Sequence, residues 1–428
     1  MLTNGARVQG QFGGEVHIGM ELGSGGQGAV YQGTDASHQP VAVKWYYPMY
    51  QTRDLRTAIT DLVVRRAPSQ HFLWPEDIVT KDSDFGYLMK LYPSDFVTIP
   101  KLMKRKVSIK FNELIRAASQ TVSAFKALQS QGLFYCDISA TNLRVQPQTG
   151  DILICDNDNV RATNGSGVIP GTPKYMAPEI ARGDAAPSAL TDSFSMAVLL
   201  FYLLMNDHPL DGALVNRIKV LNLAAMKKVY GTDPVFAFDP NNDTNRPESG
   251  VQRNSPVYWE IYPTSIKDVF TKVFTRGLLD TGGRPTFSEW QRALYALGDS
   301  LLPCPSCGKE NFFDAEAGPR SCWSCRSTVG PPLRLVFGGK RVVVLNANTR
   351  LYRHHLSKFS GDPGEHGAAV AAMSKHPQQD VWGLKNLTNT QWYATLPGGA
   401  AQIVEPGRSL TARPGTKVDF CEVAAEFE

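Results

Sequence analysis

Up to residue 91, apolar and polar positions alternate over short runs. Val16–Met20, Ala29–Gly33, Val41–Tyr46 and Phe85–Leu91 have the period of strands, with glycine-rich or Asp-Ala-Ser-His-Gln-Pro turns between them. Asp54–Arg66 instead sets Leu55, Ala58, Ile59, Leu62 and Val63 on one side, the stripe of an amphipathic helix. Past residue 110 the period is helical, over Asn112–Gly132, Thr191–Asn206 and Ser288–Gly298. From residue 331 it shortens again. Leu333–Phe337, Arg341–Leu345, Asp380–Leu384, Gln391–Ala394, Gln402–Val404, Ser409–Thr411 and Lys417–Val423 predict seven strands, enough for a β-sandwich. The class is α+β.

Composition divides the chain in three. Residues 1–300 form a small β-rich lobe, to about 91, and a larger helical one. Residues 301–330 are rich in Cys, Pro, Gly and Ser, and 331–428 hold the short strands. The 428 residues carry a net charge of +4. That is too small to argue for nucleic acid or an anionic membrane as partner. The longest apolar run, Met196–Met205, is too short to span a bilayer, and the start has no apolar signal core. The expected location is the cytoplasm.

The seven cysteines include Cys304, Cys307, Cys322 and Cys325, spaced C-x₂-C-x₁₄-C-x₂-C. In a reducing compartment two such knuckles predict four thiolates on one structural Zn²⁺, a zinc ribbon. Two disulfides are the alternative. Zinc ribbons also bind nucleic acid, but only Lys309, Arg320 and Arg326 are basic here.

The first region carries chemistry in a fixed order. Gly23-Ser24-Gly25-Gly26-Gln27-Gly28-Ala29-Val30 fits G-x-G-x-x-G-x-V, a loop whose amides can approach phosphate oxygens. Lys44 ends Val41-Ala42-Val43-Lys44. Asp137 and Asn142 lie five apart in Tyr135-Cys136-Asp137-Ile138-Ser139-Ala140-Thr141-Asn142, and Asp156 opens Asp156-Asn157-Asp158-Asn159. Gly171-Thr172-Pro173…Ala177-Pro178-Glu179, Thr191-Asp192 and Gly283-Arg284-Pro285 follow.

Residues 16 to about 298 thus resemble a bilobal protein kinase domain. The resemblance implies that Gly23, Gly25, Gly26, Gly28, Val30, Ala42, Lys44 and Met89 hold ATP, and that Asn142 and Asp156 hold Mg²⁺. Asp137 would take the proton of a Ser/Thr hydroxyl. Asp192, Glu179 and Arg284 would brace the site. Phe72–Asp77, Tyr135–Ser139 and Cys155–Val160 are similar to a bacterial subfamily found in tellurite-resistance-associated triads. That likeness implies a von Willebrand A-domain protein as substrate and a metal-dependent protein phosphatase as antagonist. Residues 383–420 look like part of a forkhead-associated domain, although its phosphothreonine-reading motifs are not clear. His354 and His355 are expected at the surface.

Four departures weigh against simple transfer of roles. Tyr135-Cys136 replaces His-Arg, so a phosphate on Thr163, Ser166 or Thr172 lacks its usual arginine partner, and such phosphorylation is not expected to be the main switch. Ser139 replaces a lysine. Asn157-Asp158 replaces Phe-Gly, and Asp158 could add a second carboxylate at the metal. No glutamate falls on Asp54–Arg66 to pair with Lys44; Asp61 is the candidate. A pseudokinase scaffold and a small-molecule kinase stay as rival readings. The second is disfavoured by the Gly171–Glu179 segment, which shapes a peptide platform.

Overall fold

The computed structural model describes all residues except 105, 163–170, 315–319 and 358–366, and describes Arg320 by its backbone alone. The chain forms two compact units. One is Met1–Ser255 with Phe270–Pro285; the other is Pro256–Val269 with Thr286–Glu428.

The first unit begins with six strands: β1 (Arg7–Gly10), β2 (Glu15–Ser24), β3 (Gly28–Thr34), β4 (Pro40–Tyr46), β5 (Asp77–Lys81) and β6 (Asp84–Lys90). They close into a barrel in the order β1-β2-β3-β4-β6-β5. Alternation aims Val8, Val16, Ile18, Ala29, Tyr31, Val41, Val43, Trp45 and Val79 into one buried cluster. The strands expected from the pattern are those that supply most of this cluster. β1 and β5 escape sequence reasoning. In β1 only Val8 is a large apolar residue. Closure needs β1 to pair with β5, Gln9 opposite Thr80 and Gly10 opposite Val79. Asp77 secures the seam. It is 5% exposed, and its carboxylate accepts from the amides of Phe12 (3.0 Å) and Gly13 (2.8 Å).

Helix α1 spans Arg53–Arg65. Thr52 caps it by accepting from the Leu55 amide, and Arg66 ends it at φ 62°. Its buried face is Ile59 and Leu62. The Trp74 indole donates to the Leu62 carbonyl at 2.8 Å, tying the helix to the Phe72–Asp77 segment.

Two helices organise the rest of this unit. Phe111–Ser130 is amphipathic. Ala189–Met205 is opened by a capping box between Ser188 and Thr191 and is buried almost throughout. A helix apolar on every side belongs inside a core. Phe201 on it meets Phe270 edge-on at 5.1 Å.

In the second unit, Phe287–Asp299 is capped by Thr286 and Glu289. Two hairpins follow, Leu301–Pro303 with Glu310–Phe312 and Arg320–Ser321 with Thr328–Val329. Among the described residues the tail folds into a six-stranded and a four-stranded sheet. Leu335, Phe337 and Trp392 from the first and Ala371, Leu384 and Leu410 from the second fill one apolar cluster. Two expectations need correction. Lys417–Val423 is not one strand: Lys417–Asp419 ends in a turn with Cys421 at φ 78°, and Ala424–Phe427 follows. His355 is not a surface residue. It is 2% exposed, with Nε2 on Asp299 Oδ1 at 2.9 Å and Nδ1 accepting from the Tyr352 amide at 2.8 Å.

Asp77→Ala should remove two amide hydrogen bonds to a charged acceptor at the barrel seam. An expected loss of about 1–3 kcal/mol follows from hydrogen bonds of that kind, to be read by urea denaturation; an unchanged midpoint would contradict the role given to this carboxylate.

Candidate active site

Most of the sequence-predicted site residues of the first region converge on a cleft of about 400 Å³. Gly23, Gly25, Gly26, Gly28, Val30, Ala42, Lys44 and Met89 line it, as do Asp137 and Asp156. The glycines divide by need. A Cβ on Gly28 would meet the Trp45 carbonyl at 2.2 Å, so the barrel itself requires that glycine. A Cβ on Gly23, Gly25 or Gly26 would meet no atom within 4 Å. Open space there is what a phosphate cradle needs. Leu73, Tyr92, Thr141, Arg144, Cys155 and Asn159 also line the cleft. No sequence motif pointed to Tyr92 or Arg144, whose guanidinium lies 4.6 Å from the Tyr92 ring centroid.

Lys44 reaches this cleft from β4, with 6% exposure. Its ammonium lies 2.7 Å from Asp158 Oδ2 and 3.3 Å from Asp156 Oδ1. The Tyr46 hydroxyl donates to Asp158 Oδ2 at 2.8 Å. Burial alone would lower the lysine pKa; attraction from Asp158 and then Asp156 outweighs it and leaves the pKa raised. The expectation for Asp61 is therefore corrected. Asp61 sits on the exposed side of α1 and pairs with Arg65 at 2.7 Å, because helical spacing brings those two together.

Asp156 itself takes φ 53°, a left-handed conformation uncommon for a residue with a Cβ. Asn157, which stands where the resemblance would put a Phe, is fully buried. Its amide donates to the carbonyls of Leu73 (2.7 Å) and Ile154 (3.0 Å). A polar side chain thus anchors this turn by hydrogen bonds instead of packing.

The loop Tyr135–Asn142 is held by buried partners. Asp192 is buried in its helix, and its carboxylate accepts from the amides of Tyr135 and Cys136. Burial pushes that carboxyl up to about 7, against the downward pull of the two amides. Tyr135 is fully buried, and its hydroxyl donates to the Cys155 carbonyl. Burial also raises the Cys136 thiol. Asn142 donates through Nδ2 to the Asp137 carbonyl at 3.0 Å and to its Oδ2 at 3.3 Å. Asn142 is 7% exposed and, unlike Asp137, is not among the residues that line the cleft. Thr172 donates through Oγ1 to Asp137 Oδ1 at 2.7 Å. Thr163 and Ser166 lie outside the described residues. Ser139 is 2% exposed, with its hydroxyl 2.9 Å from that of Thr141.

Glu179 and Arg284, 105 residues apart, form a two-pronged ion pair with both contacts at 2.8 Å. Both are under a tenth exposed. Arg284 also donates to the carbonyls of Gly277 and Leu190, so its buried donors are used.

In the second unit, the sulfurs of Cys304, Cys307, Cys322 and Cys325 lie within 4.8 Å of one another, the one such group among the described residues. None is in a disulfide. The amides of Gly308 and Arg326 donate back to the carbonyls of Cys304 and Cys322, closing two matching knuckle turns. Burial acts upward on Cys322, but the amides of Cys325 and Ser324 hold its thiol down to about 6.

Comparison with known proteins agrees with this geometry. The family model described as a protein kinase domain matches residues 16–294. The chain is 27% identical over 217 residues to CBL-interacting serine/threonine-protein kinase 14 of Arabidopsis thaliana, covering 47% of this chain and 48% of that protein. It is 23% identical over 307 residues to protein kinase YegI of Escherichia coli, covering 67% and 45%. Serine/threonine-protein kinase kin-29 of Caenorhabditis elegans is 31% identical over 114 residues, 26% of this chain and 14% of that one. The chain spans less than half the length of each of these relatives.

Arg284→Ala should leave Glu179 buried without its cation. The expected loss of about 3–5 kcal/mol would appear as a large fall in thermal midpoint. A shift of only a degree or two would show that the pair is not a main brace.

Proposed function

We infer the reaction from one premise: the chain belongs to the protein kinase family. Its activity is transfer of the ATP γ-phosphoryl group to a Ser or Thr hydroxyl of a protein. The observation that carries this reading is the convergence on Asp137. A threonine hydroxyl already donates to one carboxylate oxygen and Asn142 steadies the other, at the cleft that holds Lys44 and Asp156.

Mg·ATP, when bound, supplies the transferable phosphoryl group and a metal charge that neutralises it. The cleft fits such a ligand. The glycine loop has room for phosphates, and Asp156 offers the hard oxygen donor that Mg²⁺ takes. Asn142 spends its Nδ2 on Asp137 and would offer Oδ1 to the metal, an oxygen that here accepts from the Thr141 hydroxyl at 3.4 Å. Lys44 would hold phosphate oxygens. Asp137 orients the acceptor hydroxyl and takes its proton. Thr172, hydrogen-bonded to Asp137, fixes that carboxylate's orientation. The rival reading, a pseudokinase scaffold, draws on Ser139, which is hydrogen-bonded to Thr141 and leaves no cation at that position.

The four cysteines suit a structural Zn²⁺. A tetrahedron with Zn–S of about 2.3 Å has sulfur–sulfur edges of about 3.8 Å. Cys304–Cys325 and Cys307–Cys322 stand at 3.6 and 3.7 Å. We read the tail as a partner-docking module of forkhead-associated type. We read the whole as a cytoplasmic member of the bacterial tellurite-resistance-type triads, with a von Willebrand A-domain protein as substrate and a metal-dependent phosphatase as antagonist. The motifs Phe72–Asp77, Tyr135–Ser139 and Cys155–Val160 support this. Among the described residues, no helix is long and apolar enough to cross a membrane.

Purified protein incubated with radiolabelled Mg·ATP and an acceptor should incorporate label on Ser or Thr. Asp137→Asn should lower the rate about a hundredfold or more. Wild type that binds nucleotide yet never labels any acceptor, the von Willebrand A-type protein included, would establish the pseudokinase. Elemental analysis should find one zinc per chain. Chelation should open residues 301–330 to proteolysis, since so short a segment depends on its metal to fold; an unchanged digest would remove zinc's structural role.

A further inference from the structure

We propose that Asp158 is the counter-ion that holds Lys44 in place for the nucleotide, so that formation of this site does not depend on an acid from helix α1. The inference rests on the reading of the cleft as a nucleotide site.

The two acids beside Lys44 are not equivalent. The Asp158 side chain is fully buried, whereas that of Asp156 is 47% exposed. Asp156 lines the cleft and Asp158 does not. Both Asp158 oxygens lie within 3.0 Å of the ammonium, and the Tyr46 hydroxyl occupies Oδ2 as well. Asp158 is thus walled away from any metal in the cleft. Its carboxylate has one office, to fix a cation. Asp156 makes a single, longer contact with Lys44 at 3.3 Å, and its exposure leaves it available for a metal.

Helix α1 offers no substitute. Its acids are Asp54, in the first turn, and Asp61, which is tied to Arg65 on the exposed side. The face turned inward is Ile59 and Leu62. Among the described residues, the ion pairs of Lys44 are with Asp156 and Asp158 alone.

The anchor therefore rides on the same turn as the metal-binding acid. Asp156 and Asp158 are two residues apart, and the fully buried Asn157 between them is clamped to Leu73 and Ile154. The left-handed backbone at Asp156 brings both carboxylates to one lysine. One rigid turn sets the positions of the lysine and of the metal ligand together. Removal of Asp158 leaves Lys44 to pair with Asp156, in competition with the metal.

The test uses the full chain. Binding of a non-hydrolysable ATP analogue is titrated calorimetrically at several Mg²⁺ concentrations, and kcat and KM for Mg·ATP are measured alongside. Asp158→Asn, close in shape, should weaken analogue binding about tenfold or more and raise the Mg²⁺ concentration needed for half-maximal binding. Asp61→Asn should change neither. Tyr46→Phe should weaken binding in the same direction by a smaller factor, and it carries the test if Asp158→Asn does not fold. A merely structural Asp158 would lower thermal stability without moving the Mg²⁺ requirement, and that result overturns the inference. Unchanged binding in Asp158→Asn, or in Tyr46→Phe where only that variant folds, overturns it too while leaving the cleft reading intact. Wild type that binds no analogue overturns the cleft reading and the inference with it.

Discussion

A lysine ammonium removed from water must be neutralised where it sits, and most of the site follows from that constraint. An unpaired charge at 6% exposure would have its pKa driven down until it lost its proton, or would move out. Lys44 does neither, because a carboxylate 114 residues away in sequence is delivered to it. Delivery requires the turn after Ile154 to be exact in position, hence the buried Asn157 and the left-handed Asp156. It also requires β4 to be stiff, which pairing with β3 and β6 on its two sides provides. The cleft is the space left between these two supports.

A second layer of charge holds the first. Asp192 fixes two consecutive amides of the loop that carries Asp137, and Glu179 with Arg284 fixes the end of the segment that carries Thr172. None of these three touches the cleft. They use buried, directional contacts to fix loop backbone that has little regular structure of its own. The same division recurs in the cysteine-bearing hairpins, where backbone amides shape the knuckles and the sulfurs face one another.

What could be read beforehand was what depends on local spacing. Val41–Tyr46, Asp54–Arg66 and Thr191–Asn206 announce themselves by period, and their observed spans differ by a residue or two. Lys44, Asp137 and Asp156 announce themselves by order, and the cleft contains all three. What could not be read depends on distant partners. β1 has almost no apolar signal, because its strand character comes from being paired on both edges. His355 looks like a surface histidine until Asp299, 56 residues earlier, is found against it. Asp158 offered a carboxylate but no direction, and only the fold decides that it faces a lysine and a tyrosine. Asp61 was the candidate because it stands on the helix where the resemblance puts a glutamate, and helical phase placed it on the exposed side.

The closed barrel has one more consequence. In an open sheet the outermost strands present rows of unused N–H and C=O groups, an invitation to any extended chain nearby. Here β5 and β1 meet, so each of the six strands has neighbours on both sides. The closed seam therefore offers no edge to a further strand, and the margin left in the small lobe is the end of β2 beyond Ile18, which β3 alone covers. Recruitment by strand addition would use that short margin or an open sheet, such as the six-stranded one whose margin is Ala401–Val404 with Ile403 turned to solvent.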